Sequence, residues 1–244
     1  MKYDLEKMTT DELNELCDKL LFGADGVEKD AAGAAAVAKA AADRGDAKAL
    51  CNYGSFLMDG TGVEKDEAAA LEYWGKSADL GFGPAFNKVG LCHLFGLCGV
   101  EKTPSEAVGY FEKAGEKGVA ESMFHLAMMY QNAVGVEKDS VTADKYIAMA
   151  ADHKFPTACL MLALKKFAVK DGNGNEPKEG AALLLTAAEG GNQQAQVMYG
   201  MCCENGIGRE KDLSEAAGWY RKAAKAGNKQ ANDALKNLGF PGVM

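Results

Sequence analysis

One stretch of 36 residues, Asp46–Gly81, decides the fold of this chain, and it reads DAKALCNYGSFLMDGTGVEKDEAAALEYWGKSADLG. Its first part carries two small residues five positions apart, Ala49 and Gly54. A glycine-containing segment follows, and the apolar pair Tyr73-Trp74 precedes the closing glycine. Because glycine adopts backbone angles that other residues resist, this order predicts two helices joined by a short loop.

The same pattern recurs along the 244 residues of the chain, at steps of 36 or 37. Three markers share this spacing. The first is the last residue of the segment GVEKD, residues 62–66, and of its counterparts: Asp30, Asp66, Thr103, Asp139, Glu176 and Asp212. The second is a small residue in the first helix, Ala49, Ala85, Ser122, Ala158, Ala195 and Ala231, and the third is the position that closes the second helix, Gly45, Gly81, Gly118, Lys154, Gly191 and Gly227. Three markers in one register indicate a tandem array.

The array predicts an all-α solenoid in a single domain, residues 9–239. Helices of about 12 residues are marginal alone in water, so each helical pair must bury its apolar face against the next pair. The alanine-rich stretch Ala31–Ala42 falls in register as the second helix of the first repeat. The predicted parts are repeats 9–45, 46–81, 82–118, 119–154, 155–191 and 192–227, and a C-terminal capping helix, 228–239.

Capping signals mark the predicted helix ends. Thr9-Thr10-Asp11-Glu12 begins the first helix, and Thr103-Pro104-Ser105-Glu106 and Asp212-Leu213-Ser214-Glu215 have the pattern of a capping box. In such a box the first side chain accepts a hydrogen bond from the third helical N–H, and the glutamate reaches back. The closing glycines suit the C′ position after a helix.

Composition excludes several classes of protein. Hydrophobic residues make up 48% of the chain, which excludes a disordered protein, and no apolar run approaches the about 18–20 residues that membrane insertion requires. The net charge of −8 predicts that nucleic acid is not a partner. The polar residues 1–8 lack the apolar region of a secretory signal, and the seven cysteines are an odd number. We therefore expect a cytoplasmic chain whose cysteines are reduced and buried.

No cluster of residues predicts zinc binding or catalysis. Cys92-His93 and Cys98 offer three candidate ligands close together, whereas a structural zinc site requires four ligands. No serine has a lysine three residues later, as serine β-lactamases do. A cysteine–histidine pair across neighbouring helices stays open at this stage. We expect no enzyme activity, no metal site and no cofactor.

One loop has part of a calcium-binding pattern. Asp171, Asn173 and Asn175 occupy the first ligand positions of an EF-hand loop. However, Glu176 stands where the loop requires glycine, and Ala182 stands where it requires glutamate. A turn rich in Asx and glycine residues is the better interpretation.

One face of the first helices is the candidate binding surface. The second small residue of each first helix defines a small-residue slot (Gly54, Gly90, Ala127, Ala163, Gly200). Positions two before, one after and five after the slot share one helix face. The candidate residues are Asn52, Ser55, Asp59, Lys88, Leu91, Phe95, His125, Met128, Asn132, Met161, Met198, Met201 and Asn205. The position just after the slot could equally belong to the core between repeats.

The repeat unit resembles the Sel-one-like repeat, a relative of the tetratricopeptide repeat. The motif is Ala-x-x-x-Leu/Tyr-Gly, then Gly-x-Gly-Val-x-x-Asp, then Ala-x-x-Tyr-Trp-x-x-x-Ala-x-x-Gly, with Asp46–Gly81 and Asn192–Gly227 as the best copies. The resemblance implies a right-handed α/α superhelix whose first helices line a concave groove. It also implies a scaffold or adaptor that binds a protein or peptide without catalysis. Lys154 in place of the closing glycine and the loop 171–177 depart from the motif.

Two alternative functions remain. A secreted branch of the family suggests a β-lactam-binding or β-lactamase-like hydrolase, but its members carry cysteine pairs eight positions apart, and no two cysteines here have that spacing. The other alternative is a structural scaffold that associates with itself. The sequence leaves the oligomeric state and the identity of the partner open.

Overall fold

The computed structural model describes residues 3–168 and 176–242, and in these ranges the chain is helical without a strand. The α-helices are α1 (Thr10–Phe22), α2 (Ala31–Ala42), α3 (Ala47–Asp59), α4 (Glu67–Asp79), α5 (Gly83–Phe95), α6 (Pro104–Glu116), α7 (Ala120–Asn132), α8 (Ser140–Asp152), α9 (Pro156–Ala168), α10 (Glu176–Glu189), α11 (Gln193–Asn205), α12 (Leu213–Lys225) and α13 (Lys229–Asn237). This confirms the all-α prediction. The calcium-like residues Asp171, Asn173 and Asn175 lie outside the described ranges.

The helices belong to two compact units, Met1–Lys138 with α1 to α7 and Asp139–Met244 with α8 to α13. Within each unit, consecutive helices pack against one another: α1 on α2, α2 on α3 and so on to α7 in the first unit, and α8 on α9 to α12 on α13 in the second. The odd-numbered helices are the predicted first helices of the repeats, and the even-numbered helices are the second. A single domain over residues 9–239 remains a prediction.

The predicted capping residues begin most of the second helices. Asp30, Asp66 and Asp212 each accept a hydrogen bond from the backbone N–H of the third helical residue, at 2.8, 2.9 and 2.9 Å. At the start of α1 the complete box forms, since Glu12 N donates to Thr9 Oγ1 at 3.3 Å and Thr9 N donates to Glu12 Oε2 at 2.7 Å. These starts agree with the sequence prediction.

Two predicted capping boxes are wrong in part. The Thr103 side chain makes no cap hydrogen bond, because its Oγ1 lies 2.8 Å from His93 Nδ1. Asp212 does cap α12, but the Glu215 carboxylate pairs with Arg209 instead of reaching back, at 2.8 and 2.7 Å. In both places a charged or aromatic partner from outside the helix competes for the capping group.

The second helices end as the closing glycines predict. At Gly45 the backbone N–H donates to Ala42 O at 2.9 Å, while Asp46 N donates to Ala41 O at 3.3 Å, the hydrogen-bond pair of a Schellman motif. The same pair occurs at all six closing positions, including Lys154, whose φ of +59° lies in the left-handed region. Pro156, two residues later, is the first residue of α9. The turn therefore forms even where glycine is missing.

The core of each unit lies between its first and second helices. In the first unit it contains the alanine face of α2 together with Phe56, Trp74 and Phe111; in the second unit Leu184 and Tyr220 are fully or almost fully buried. All seven cysteines are buried, which confirms that part of the prediction. Among the described residues, none of the helices has the length and apolar character needed to cross a bilayer.

Candidate binding faces on the first helices

Aromatic side chains of the second helices occupy the three small-residue slots that contain glycine. A Cβ added at Gly54 would lie 2.8 Å from Trp74, and one added at Gly200 would lie 2.6 Å from Tyr220. At Gly90 the corresponding contact is with Phe111, at 2.8 Å. Each ring therefore needs glycine opposite it, and this contact fixes how the first helix is rotated. The predicted binding positions lie about 130° around the helix from the slot, at 3.6 residues per turn.

All thirteen predicted binding residues are exposed or half-buried. Phe95 is 57% exposed and Met201 is 49% exposed, whereas Leu91 and Met128 are half-buried. The position after the slot is therefore accessible at Leu91, Met128 and Met201, although it packs partly against neighbouring side chains. We call the nine residues on α3, α5 and α7 the first-unit stripe, and Met161, Met198, Met201 and Asn205 on α9 and α11 the second-unit stripe.

A cleft of about 340 Å³ lies between α1 and α3 in the first unit. Three residues of the first-unit stripe line it, Asn52, Ser55 and Asp59, together with Asp18 and Phe22 of α1. With Phe56 and Thr61, its walls offer two carboxylates, an amide, two hydroxyls and two rings. The Asp18 carboxylate lies 3.2 Å from the Lys48 ammonium group.

The polar groups of α5 and α7 form the second part of the first-unit stripe. The Lys88 ammonium group lies 6.0 Å from the Trp74 ring centroid. The His125 ring stacks on Phe111, with centroids 5.0 Å apart and an angle of 26° between the planes. Its Nε2 atom is buried, has no hydrogen-bond partner in the described part of the chain, and lies 3.8 Å from Glu121 Oε1. That distance makes the contact electrostatic rather than a hydrogen bond.

A buried amide positions Glu121 beside these groups. Asn87 Nδ2 donates to Glu121 Oε2 at 3.0 Å, and Ser122 Oγ donates to Asn87 Oδ1 at 2.7 Å. The neighbouring His125 imidazole, with help from Lys88 and Asn87, holds the pKa of the Glu121 carboxyl below its ordinary value of 4.5. The face around His125 therefore carries an ionised carboxylate at neutral pH.

A second cleft, of about 370 Å³, lies between α11 and α13 in the second unit. Met198 and Met201 of the second-unit stripe line it with Val197, Gln194 and Gln230. Thioether and methyl groups dominate one wall, and amides form the rim. This surface suits apolar side chains of a ligand, because methionine side chains adapt their shape.

Two stripe residues near the helix ends make hydrogen bonds within their own helices. Asn132 Nδ2 donates to Met128 O at 2.9 Å, and Asn205 Nδ2 donates to Met201 O at 3.0 Å. The amide oxygens remain as acceptors beside Met128 and Met201. Each asparagine therefore bonds to the last turn of its own helix and keeps an amide oxygen on the stripe.

Sequence reasoning missed Asp18 and Phe22. Asp18 lies at the slot position of α1, 36 residues before Gly54, and Phe22 follows it by one helical turn. Phe22 is 74% exposed, which is rare for a phenylalanine. The signal that could have identified this pair is a phenylalanine one turn after a charged slot residue, and it is visible in the sequence.

The chain matches the family model described as Sel1 repeat at residues 47–82, 85–119, 120–155 and 193–228. These four matches overlap the predicted second, third, fourth and sixth repeats, and together they cover more than half of the chain. The family model therefore supports the repeat register that the sequence markers define.

Solved structures share this architecture. A Sel1 repeat protein from Oxalobacter formigenes aligns with a TM-score of 0.81 and 27% identity, covering 96% of this chain and 67% of that chain. A protective antigen with an SLR fold, present in uropathogenic Escherichia coli strains, aligns with a TM-score of 0.63 and 25% identity over 96% of this chain and 50% of its own.

Curated relatives have names that describe regulation and binding. Chitin synthase regulatory factor 2 of Schizosaccharomyces pombe is 30% identical over 75% of this chain and 38% of its own length. DAP3-binding cell death enhancer 1 of Mus musculus is 30% identical over 71% of this chain and 34% of its own. The chain thus spans less than half the length of these relatives. On its repeat matches and its helical hairpins, the chain belongs to the Sel1 repeat family.

Proposed function

We propose that this chain is a non-catalytic protein-interaction scaffold that binds an extended peptide or a helix of a partner protein on its first-helix faces. One observation carries the proposal: all thirteen stripe residues remain accessible, and five of them line two clefts between consecutive first helices. A packed array that leaves such a row of side chains uncovered offers a repeated contact surface.

The first-unit stripe has the groups that peptide binding needs. Asn52, Lys88 and His125 occupy the same position on three successive first helices, α3, α5 and α7. An asparagine amide can donate to and accept from a peptide backbone, while a lysine ammonium group can bind a carboxylate. These three side chains would hold the backbone or a terminal carboxylate of the partner.

The second-unit stripe would supply apolar contacts. Met161, Met198 and Met201 present thioethers that fit different apolar side chains. The relatives support this class of function through their names, which describe a regulatory factor and a binding protein. The partners of those longer proteins are not carried over to this chain.

The contacts of the serine residues favour a scaffold over the hydrolase alternative. Ser55 Oγ donates to Cys51 O at 3.2 Å, Ser77 Oγ donates to Ala47 O at 2.6 Å, and Ser122 Oγ donates to Asn87. Nucleophilic serines need a base within hydrogen-bond reach, and none of these three donates to one. The cytoplasmic location and the absence of nucleic-acid binding remain sequence predictions, and self-association stays an alternative.

The test is a peptide array probed with the wild-type chain and with the triple variant Asn52→Ala, Lys88→Ala, His125→Ala. We expect the variant to lose about tenfold or more of the signal, since three hydrogen-bonding or charged contacts disappear together. The matched control is Glu72→Ala, Asp79→Ala, Glu112→Ala, which removes three exposed groups from second helices. We expect the control to bind as the wild type does.

Equal binding by the triple variant and the control would reject the first-helix face as the binding site. Hydrolysis of a chromogenic β-lactam by the wild-type chain would reject the non-catalytic scaffold itself. Circular dichroism of each variant establishes that the helices are intact before the binding signals are compared.

A further inference from the structure

Three sulfur atoms meet in the first unit, at the ends of α3 and α5. Cys92 Sγ lies 3.4 Å from Cys98 Sγ, and Cys98 Sγ lies 3.8 Å from Met58 Sδ. Met58 belongs to α3, Cys92 to α5, and Cys98 to the loop between α5 and α6. The two thiols are 1% and 5% exposed, so the sulfur cluster formed by Met58, Cys92 and Cys98 is almost dry.

The backbone of the loop brings Cys98 to this place at a conformational cost. Its φ of +58° lies in the left-handed region, which residues with a Cβ rarely adopt. Asp25, at the equivalent place in the loop of the first repeat, has a similar φ of +53°, so this conformation belongs to the loop. The contacts with Cys92 and Met58 are the polar contacts that the Cys98 side chain makes in the described part of the chain.

The sequence offered His93 as a further ligand, but the structure places it elsewhere. His93 Nδ1 lies 2.8 Å from Thr103 Oγ1 and 3.3 Å from Glu106 Oε2, and its ring stacks on Tyr110. The sulfur groups that converge are therefore two thiols and one thioether. Structural zinc sites require four ligands, whereas thiolate and thioether sets favour Cu(I).

We propose that Met58, Cys92 and Cys98 form a three-sulfur binding site for a soft monovalent cation of the Cu(I) class. With metal–sulfur bonds of about 2.3 Å, three sulfurs in a plane around one ion lie about 4 Å apart. The Cys92–Cys98 distance of 3.4 Å and the Cys98–Met58 distance of 3.8 Å therefore need to open by about 0.6 and about 0.2 Å. A disulfide would instead require the thiols to approach by more than about 1 Å, to about 2.05 Å.

Binding exchanges two protons for one cation. Cys92 Sγ–H donates to Cys98 Sγ, and Cys98 Sγ–H donates to Met58 Sδ, so both thiols hold their protons before the ion enters. The two S–H bonds break, two metal–thiolate bonds and one metal–thioether bond form, and two protons pass to the solvent. No electron is transferred, and the occupied site carries one negative charge.

The surroundings of the cluster set the conditions for this exchange. Both thiols are buried, and only a thiolate binds a metal ion, so the cation must displace the two protons. Lys88 interacts electrostatically with Cys92, and Lys65 does so with Cys98. The two ammonium groups offset the negative charge of the occupied site. Met58 is half-buried and provides the entry side.

The test is a titration of the reduced chain with Cu(I) under anaerobic conditions, in competition with a coloured Cu(I) chelator, and a parallel titration with Ag(I). We expect one tightly held ion per chain, about two protons released and a higher melting temperature in the presence of the ion. Ag(I) does not cycle between oxidation states as copper does, so its binding separates coordination from thiol oxidation.

Three variants decide the ligand assignment. Met58→Leu conserves volume, and we expect its affinity to fall by at least about tenfold, since even groups that only support a ligand change affinity by about ten- to a hundredfold. Cys92→Ala, Cys98→Ala should abolish stoichiometric binding. The control, Cys202→Ala, Cys203→Ala, removes two buried thiols of the second unit and should bind as the wild type does.

If the wild type and Met58→Leu bind the ion with equal affinity, the three-sulfur site is wrong. It is also wrong if the control variant Cys202→Ala, Cys203→Ala loses ion binding. The same holds if copper produces a Cys92–Cys98 disulfide and no ion is retained. The Met58→Leu result keeps the test decisive if the double alanine variant fails to fold. None of these outcomes bears on peptide binding by the first-helix faces.

Discussion

The α1–α3 cleft and the α11–α13 cleft each lie between two consecutive first helices, yet their stripe residues differ in chemistry. The first carries Asp18, Asp59 and Asn52, whereas the second carries Met198 and Met201 at the stripe positions. Both are built on a glycine slot filled by an aromatic ring of the second helix. Under the proposed function, the slots and turns set the backbone, and the stripe residues set the binding chemistry.

The largest expected effect comes from filling the slots under the two clefts. Gly200→Val and Gly54→Val force a branched side chain against Tyr220 and Trp74, and we expect each to lower the free energy of unfolding by about 1–3 kcal/mol. Gly200→Val should lower the free energy of unfolding more than Gly54→Val, since the added Cβ would lie 2.6 Å from the ring at Gly200 and 2.8 Å from it at Gly54. Urea unfolding followed by circular dichroism measures both values.

The controls for this prediction lie on the second helices. Gly75→Val on α4 and Gly218→Val on α12 add the same side chain where no atom lies within 4 Å of the new Cβ. We expect changes within about 0.5 kcal/mol at these sites. A slot variant as stable as its control would show that the ring does not fix the rotation of the first helix.

The second prediction separates the chemistry of the clefts. Met198→Gln with Met201→Gln should weaken an apolar peptide ligand by about ten- to a hundredfold, because two apolar contacts are lost, each worth roughly 1 kcal/mol. The loss of affinity in Met198→Gln, Met201→Gln should be the same at every salt concentration, because the substitution changes no charge. Asp18→Asn with Asp59→Asn should instead weaken a basic ligand most at low salt, because exposed charges are screened beyond about 10 Å at 0.1 M.

Fluorescence anisotropy of labelled peptides at two salt concentrations checks both double variants. Each variant serves as the control of the other, since it alters only the opposite cleft. Identical salt dependence for the two variants would remove the chemical distinction between the clefts.

The smallest expected effect concerns a carboxylate of each unit. The Arg209 guanidinium holds the pKa of Glu215 below its ordinary value, as His125 does for Glu121. A carboxyl whose pKa is lower in the folded state stabilises the fold above its unfolded pKa, about 4.3, and the contribution disappears as the pH falls through the folded pKa. At pH 7 we expect Glu215→Gln to cost about 1 kcal/mol and Glu121→Gln a few tenths, since Glu121 is half-exposed to screening solvent.

Thermal melts at pH 7 and at pH values down to 2 measure this difference. Each variant should approach the wild-type stability as the pH falls below the folded pKa of its carboxyl. A gap that stays constant with pH would mean that the lost contribution is packing and not charge.

The sequence predicts the helices well because their ends are decided locally. Ala31–Ala42, which could be taken for low complexity, is α2 with the predicted bounds, because Asp30 caps it and Gly45 closes it. The closing turn at Lys154 also follows the register, although an L residue there adopts a positive φ. In these places neighbouring residues in the sequence make the deciding hydrogen bonds.

The failures occur where residues outside the capping motif compete for its groups. The capping box at Thr103 does not form because the Thr103 hydroxyl bonds to His93, ten residues earlier. Glu215 does not reach back to Asp212 because it forms a bidentate pair with Arg209, which is stronger than a single cap hydrogen bond. The sulfur cluster joins Met58 to cysteines more than thirty residues later. Periodicity places a residue on a face, but it does not say which partner from another repeat will meet it.

The six closing turns have a consequence for how the surface can be varied. Both hydrogen bonds of each turn come from main-chain groups, so the turn itself does not use the side chain of the residue after the closing position. That place is held by an acid, an amide or an apolar residue in this chain: Asp46, Phe82, Val119, Phe155, Asn192 and Asn228. At Asp46, Asn192 and Asn228 the side chain also caps the helix that follows, whereas Phe82 and Val119 make no cap hydrogen bond. The same main-chain turn therefore precedes both capped and uncapped helix starts, so the strength of the next helix start can vary from repeat to repeat without a change in the turn.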